Sequence, residues 1–156
     1  MMTKADTETA LSVLIVEDDT DIRELFALLL QGMGYVVSTA ATAEEGLLRL
    51  HEHHVDIVLL DLMLPGMDGF AFCRIVRADR ALHDLYIIIT SASDALEDKI
   101  RAYEFGVADY LTKPFSPAKL QTRIQVGASH VRFQKGRRQQ ATDAQPMLLS
   151  SWKVAA

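Results

Sequence analysis

The sequence predicts an α/β protein, a parallel sheet of five strands covered by helices on both faces. Three observations predict it. Short apolar runs rich in β-branched residues alternate five times with stretches of helical periodicity. The connections are a few residues long, as right-handed strand–helix–strand crossovers require. The central run, Ile57-Val58-Leu59-Leu60, lacks the polar alternation of a half-exposed strand and closes at Pro65-Gly66, the pattern of a strand buried on both faces.

After a polar leader at residues 1–10, the first strand is Leu11 to Val16, and it runs directly into Glu17-Asp18-Asp19. Asp19 or Thr20 caps a helix on which Ile22, Leu25, Phe26, Leu29 and Leu30 recur at helical spacing, stopped by Gly32-Met33-Gly34. Tyr35 to Thr39 is a second strand. Thr42-Ala43-Glu44-Glu45 is a capping box for a helix through about His51, with Leu47, Leu48 and Leu50 as its apolar surface. The central strand ends at Asp61, and Asp68-Gly69 shapes the loop and caps a helix carrying Phe70, Cys73, Ile75 and Val76. Leu85 to Ile89 is the fourth strand, followed by Thr90-Ser91-Ala92 and a helix over Ser93–Phe105. Asp109 to Thr112 is the fifth, and Ser116-Pro117 opens the last helix, with Leu120, Ile124 and Val131. His51-Glu52-His53-His54 reads as a solvated turn between helix and strand rather than a metal site.

The 156 residues are 49% hydrophobic, enough for one core, and the single cysteine, Cys73, excludes an intrachain disulfide. With no signal peptide or long apolar segment, the expected compartment is the cytoplasm and no membrane contact is expected. Residues 1–129 hold 11 Lys/Arg against 20 Asp/Glu, whereas residues 130–156 hold 5 against 1. An acidic body argues against direct nucleic-acid binding. The basic segment 131–156 reads as a helix extension or linker, and Met147, Leu148, Leu149, Trp152 and Val154 form a small apolar island in it.

The strand ends carry the chemistry. In a doubly wound sheet they lie along one edge, where ligands bind. That edge receives carboxylates from Glu17, Asp18 and Asp61, a hydroxyl from Thr90 and an ammonium from Lys113. Taken alone, Asp61 reads equally well as a cap for the next helix. Converging carboxylates repel, and a divalent cation relieves the repulsion; oxygen-only donors select Mg²⁺ or Mn²⁺. A metal, a fixed ammonium and a hydroxyl around one carboxylate make a phosphoryl-transfer site with Asp61 as in-line nucleophile.

Four segments resemble the receiver domain of two-component response regulators: Val13 to Asp19, Leu60 to Gly69, Thr90-Ser91-Ala92 and Asp109 to Phe115. The resemblance covers about residues 11–130. It implies a flavodoxin-like fold with strand order 2-1-3-4-5 and a Lys113-Pro114 cis bond. It implies Asp61 as phosphoacceptor, Asp18 and the Met63 carbonyl as metal ligands, Glu17 reaching the metal through water, Thr90 and Tyr110 as switch residues, and Lys113 as the phosphate partner. It also implies that a sensor histidine kinase or a histidine phosphotransfer protein is the donor. The receiver would catalyse its own phosphorylation and dephosphorylation. The face made by the helix after Thr90, the fifth strand and the last helix would then change its partner preference. In one subgroup that face dimerises through charge pairs, a pattern that Lys99, Arg101, Asp109 and Arg123 fit and Lys119 opposes. Two rivals remain. A phosphohydrolase with an Asp nucleophile needs a second acid two residues on, where Met63 stands; a pure binding module needs none of Asp18, Asp61, Thr90 and Lys113.

Overall fold

A computed structural model describes residues 10–155, with side chains described to residue 141. The leader at residues 1–9 and the side chains of the island from Met147 to Val154 lie outside the described residues. Ten elements alternate strictly: β1 (Ser12–Val16), α1 (Thr20–Gly32), β2 (Val36–Ala40), α2 (Ala43–Glu52), β3 (Ile57–Asp61), α3 (Gly69–Ala78), β4 (Tyr86–Ser91), α4 (Leu96–Glu104), β5 (Asp109–Thr112) and α5 (Pro117–Ala155). The strands form one parallel sheet in the order β2-β1-β3-β4-β5, so the five-stranded, flavodoxin-like arrangement expected from the sequence is the one observed.

The unbroken apolar runs are explained by the two faces. Leu14, Val16, Val58, Leu60, Ile87 and Ile89 point into one core with Leu50, Phe72, Val76 and Ala102 from α2, α3 and α4. Val13, Ile15, Ile57, Leu59 and Ile88 point into the other, with Phe26 and Leu30 of α1 and Leu120, Ile124 and Ala128 of α5. Alternate residues of each inner strand therefore serve opposite cores.

Local signals position the helices. Asp19 Oδ1 accepts from the Ile22 N–H at 3.0 Å, Thr42 Oγ1 from Glu45 N–H at 3.1 Å, Asp68 Oδ1 from Ala71 N–H at 2.9 Å and Ser116 Oγ from Lys119 N–H at 3.1 Å. Glu45 departs from the expected box by accepting from Ala41 N–H rather than from the cap residue. Leu25 and Leu48, expected on apolar faces, are 51% and 59% exposed; Leu25 lies one position off the buried row Phe26/Leu30, and Leu48 lies midway between the buried Gly46 and Leu50, on the far side of its helix. The helix expected from Ser93 starts at Leu96. Ser93 Oγ bonds the Asp98 carboxylate at 2.6 Å and accepts from Ala95 N–H, which holds residues 93–95 in a turn.

Gly69 fixes where β3 hands over to α3. A Cβ there would sit 2.8 Å from Leu62 Cα and 3.0 Å from the Asp61 carbonyl oxygen, both main-chain atoms that cannot step aside. Gly69→Ala is expected to lose about 2–3 kcal/mol in urea unfolding, the upper range for overpacking. Gly32→Ala, with nothing within 4 Å of the new methyl, serves as control; equal stabilities for the two variants would refute the packing argument.

Two polar fastenings hold the opposite edge of the sheet. Arg77 of α3 donates to the carbonyls of Phe105, His83, Leu85 and Gly106 at 2.7–2.9 Å, tying two loops to one helix. Asp56, immediately before β3, is buried and accepts from the Ser12 N–H at 2.9 Å, from His54 Nε2 at 2.9 Å and from Lys135 of α5 at 2.8 Å. Arg138, one turn further along α5, pairs with Asp84. The polar, basic segment after His130 thus continues the helix, and over residues 135–138 it is laid back against the domain. His51 and His53 are exposed beside it, while His54 serves Asp56.

Burial alone raises the Asp56 pKa, but Lys135, the Ser12 N–H and His54 together outweigh it and hold the carboxyl below its ordinary 3.8. A carboxyl depressed in the native state contributes stability that is complete above 3.8 and lost as pH falls through the native value. Unfolding free energy measured in urea between pH 2 and 6 is expected to fall below pH 3.8, and Asp56→Asn to remove part of that slope; an unchanged slope would exclude Asp56 as a contributor.

Candidate functional site

β1 and β3 are neighbours in the sheet, so Glu17 and Asp18, just past the end of β1, come to stand beside Asp61 at the end of β3. Thr90 of β4 is the register partner of Asp61. Lys113 directly follows β5, and its bond to Pro114 is cis. The structure therefore brings together the groups that the sequence assigns to this edge.

The contacts are specific. Lys113 Nζ lies 2.6 Å from Glu17 Oε1 and 3.3 Å from Asp61 Oδ2. Asp61 Oδ1 accepts from the Met63 N–H at 3.0 Å. The helix cap is Asp68, so Asp61 is not spent on capping. Glu17, Asp61 and Thr90 are buried, whereas Asp18 and the Met63 side chain are exposed. Burial first, then the adjoining Asp61 carboxylate, push the Glu17 carboxyl up to about 8, with Lys113 pulling the other way. For Lys113, burial lowers the pKa, but the carboxylates of Glu17 and Asp61 outweigh it and hold the ammonium above its ordinary value.

Glu17, Asp18 and Asp61 each present a carboxylate oxygen within 4.8 Å of the others, an arrangement suited to a metal ion. The fit is supported from a second side: Glu17 Oε2 is buried without a hydrogen-bond partner. Buried carboxylate oxygens are normally paired, and a cation or its bound water satisfies such an atom. The donor set is all oxygen, which suits Mg²⁺ or Mn²⁺.

Residues 13–125 match the response regulator receiver domain family. The chain belongs to that family. The receiver is 41% identical over 119 residues to the transcriptional regulator ycf27 of Guillardia theta, covering 76% of this chain and 46% of that protein. It is 36% identical over 112 residues to the phosphate regulon transcriptional regulatory protein PhoB of Klebsiella pneumoniae, covering 72% and 49%. It spans about half the length of these curated relatives. Among solved structures it is similar to the chemotaxis response regulator CheY4 of Vibrio cholerae, with 30% identity, TM-score 0.72 and coverage of 76% of this receiver and 98% of that chain. Among the described residues, no helix is long and apolar enough to cross a membrane.

The remaining expected residues lie on α4, β5 and α5. Tyr110 on β5 is half-buried, and its hydroxyl donates to the Ser93 carbonyl at 2.7 Å. Lys99 lies 5.8 Å from the centre of its ring. Arg101 stacks on Phe70 at 4.0 Å, and Asp109 pairs with Arg123 of the same chain at 3.1 Å, while Lys119 is exposed. Sequence reasoning passed over Arg23, whose guanidinium bonds the carbonyls that carry the acids. Its position five residues after Asp18 was the only available signal.

Proposed function

We propose that this receiver is a phosphorylation-dependent switch that accepts a phosphoryl group on Asp61 from a histidine kinase or a histidine phosphotransfer protein in the cytoplasm. The observation that carries the reading is the Lys113 ammonium held between Glu17 and Asp61 at the edge where Asp18 and Thr90 also stand. An Asp61 carboxylate oxygen attacks phosphorus; the P–O bond forms as the P–N bond to the donor imidazole breaks, and the imidazole nitrogen leaves with the electron pair. When bound, Mg²⁺ or Mn²⁺ neutralises charge on the phosphoryl oxygens. Asp18, Asp61 and the Met63 carbonyl would hold it, with Glu17 acting through water. Lys113 pairs with the incoming oxygens in exchange for Glu17, and the Thr90 hydroxyl donates to them. Water later cleaves the acyl phosphate, returning the carboxylate and inorganic phosphate; Ala92, small and apolar, leaves the water's route open.

The output follows from the neighbours of Thr90. Drawing Thr90 toward the phosphoryl group opens space beside Tyr110, whose hydroxyl then leaves the Ser93 carbonyl, and the face of α4, β5 and α5 shifts between two arrangements. Homodimerisation through that face belongs to the same reading. Leu96 and Ile100, exposed on α4, supply apolar surface, and Asp109 and Arg123 would exchange their mutual pairing for partners across the interface. Direct nucleic-acid contact is not assigned to this acidic body.

Intact mass after incubation with acetyl phosphate tests the reading. A gain of ~80 Da that requires Mg²⁺, disappears on standing and is blocked by EDTA is expected. Free phosphate released without any adduct would instead favour a phosphohydrolase, and neither adduct nor phosphate would favour a binding module.

A further inference from the structure

We propose that Arg23 is a positioning residue for the metal-binding acids, acting through the main chain rather than on the ion. The inference rests on the reading above, in which Glu17, Asp18 and Asp61 take a divalent cation. Arg23 lies in the first turn of α1, and its guanidinium turns back over the junction between β1 and α1. Nη1 donates to the carbonyl oxygen of Glu17 at 2.8 Å and of Asp18 at 3.3 Å, and Nη2 reaches Thr20 Oγ1 at 3.5 Å.

What Arg23 does not touch is as informative. Asp18, Asp19, Asp21 and Glu24 surround it in sequence, and an arginine in such company is expected to balance charge. Among the described residues it forms an ion pair with none of them; its donors go to carbonyls and a hydroxyl. A planar guanidinium bonded to two successive carbonyls fixes two peptide planes at once. It thereby fixes the directions in which the Glu17 and Asp18 side chains leave the chain. The junction needs that restraint, because like charges drive the Glu17–Asp18 segment away from Asp61. Among the described residues, the other side-chain hold on the start of α1 is the exposed Asp19 cap.

Positioning and charge make opposite predictions, which gives the proposal a sign. A cation beside a metal site repels the metal, so if Arg23 acted by charge its removal would tighten metal binding. If it acts by geometry, its removal weakens binding. Loss of an outer group that orients metal ligands typically lowers affinity 10–100-fold, and about tenfold is expected here because the acids remain.

The test is Mn²⁺ binding to the full chain, read from the free-ion electron paramagnetic resonance signal, alongside thermal unfolding of each protein. Arg23→Ala is expected to raise the Mn²⁺ Kd about tenfold, and Arg23→Lys, which can put an ammonium near the place of Nη1 but loses the planar group and the second nitrogen that reaches Thr20, about threefold. Arg77→Ala removes an arginine that also bonds main-chain carbonyls, but far from the acids; it is expected to lower the melting temperature while leaving the Mn²⁺ Kd unchanged. Should Arg23→Ala not fold, Arg23→Lys is read alone by the same criterion. An unchanged or lower Kd in the Arg23 variants overturns the proposal, as does an equal rise in Arg77→Ala. Absence of Mn²⁺ binding by the natural protein brings down the metal reading itself, and the proposal with it.

Discussion

Asp61→Asn is expected to gain no phosphoryl group and yet to melt higher than the natural protein in metal-free buffer. The two effects have one origin. Glu17 and Asp61 share a single ammonium, Lys113, and Asp61 is among the groups that push the Glu17 carboxyl up to about 8. Asparagine keeps a carbonyl oxygen to accept from the Met63 N–H but removes the carboxylate that opposes ionisation of Glu17 and competes with it for Lys113. At the few-ångström separation of these groups the relief is roughly 1 kcal/mol, or about 3 °C for a chain of this size. Calorimetry with EDTA reads the second effect and intact mass the first. A variant that melts lower in EDTA would mean that Asp61 is structurally supported rather than strained.

Lys113→Ala should move the other way, and further. It leaves Glu17 and Asp61 buried and facing each other with no counter-charge. Breaking a buried pair from one side costs about 3–5 kcal/mol, and the lower end applies here because Lys113 is partly exposed and Glu17 can take up a proton. A loss of about 3 kcal/mol in urea with EDTA is therefore expected, together with slower gain of the adduct. The double variant Asp61→Asn/Lys113→Ala should recover more of that loss than the roughly 1 kcal/mol that Asp61→Asn adds alone, since the repulsion that Lys113 offsets is then gone. If the double variant is as unstable as the sum of the singles predicts, Lys113 holds the fold by packing rather than by its charge.

The parallel sheet and its functional edge were legible because they rest on local signals. Ile57 to Leu60 has no polar interruption, Asp61 ends it, and Pro65-Gly66 stops it; none of this needs a distant partner to be recognised. Asp56 was opaque for the opposite reason. Its partners Ser12 and Lys135 lie 44 and 79 positions away, and nothing within Val55-Asp56-Ile57 distinguishes a buried carboxylate from a solvated one. The late start of α4 was missed because Ser93 satisfies the backbone from its own side chain, which looks in sequence like an ordinary helix opening. The segment after His130 carries no apolar stripe to reveal a docked helix; Lys135 and Arg138 seat it through charge.

That seating gives α5 a mechanical role. The helix begins four residues after Lys113, and Lys135 fastens it at Asp56, so one continuous rod spans both ends of β3. From Pro117 to Lys135 the rod is about 27 Å long at the usual rise per residue. A rod clamped near both ends of a rigid strand has little slack to absorb movement. The ion pair of Lys135 with the buried Asp56 thus holds the rod at the end of β3 opposite Asp61.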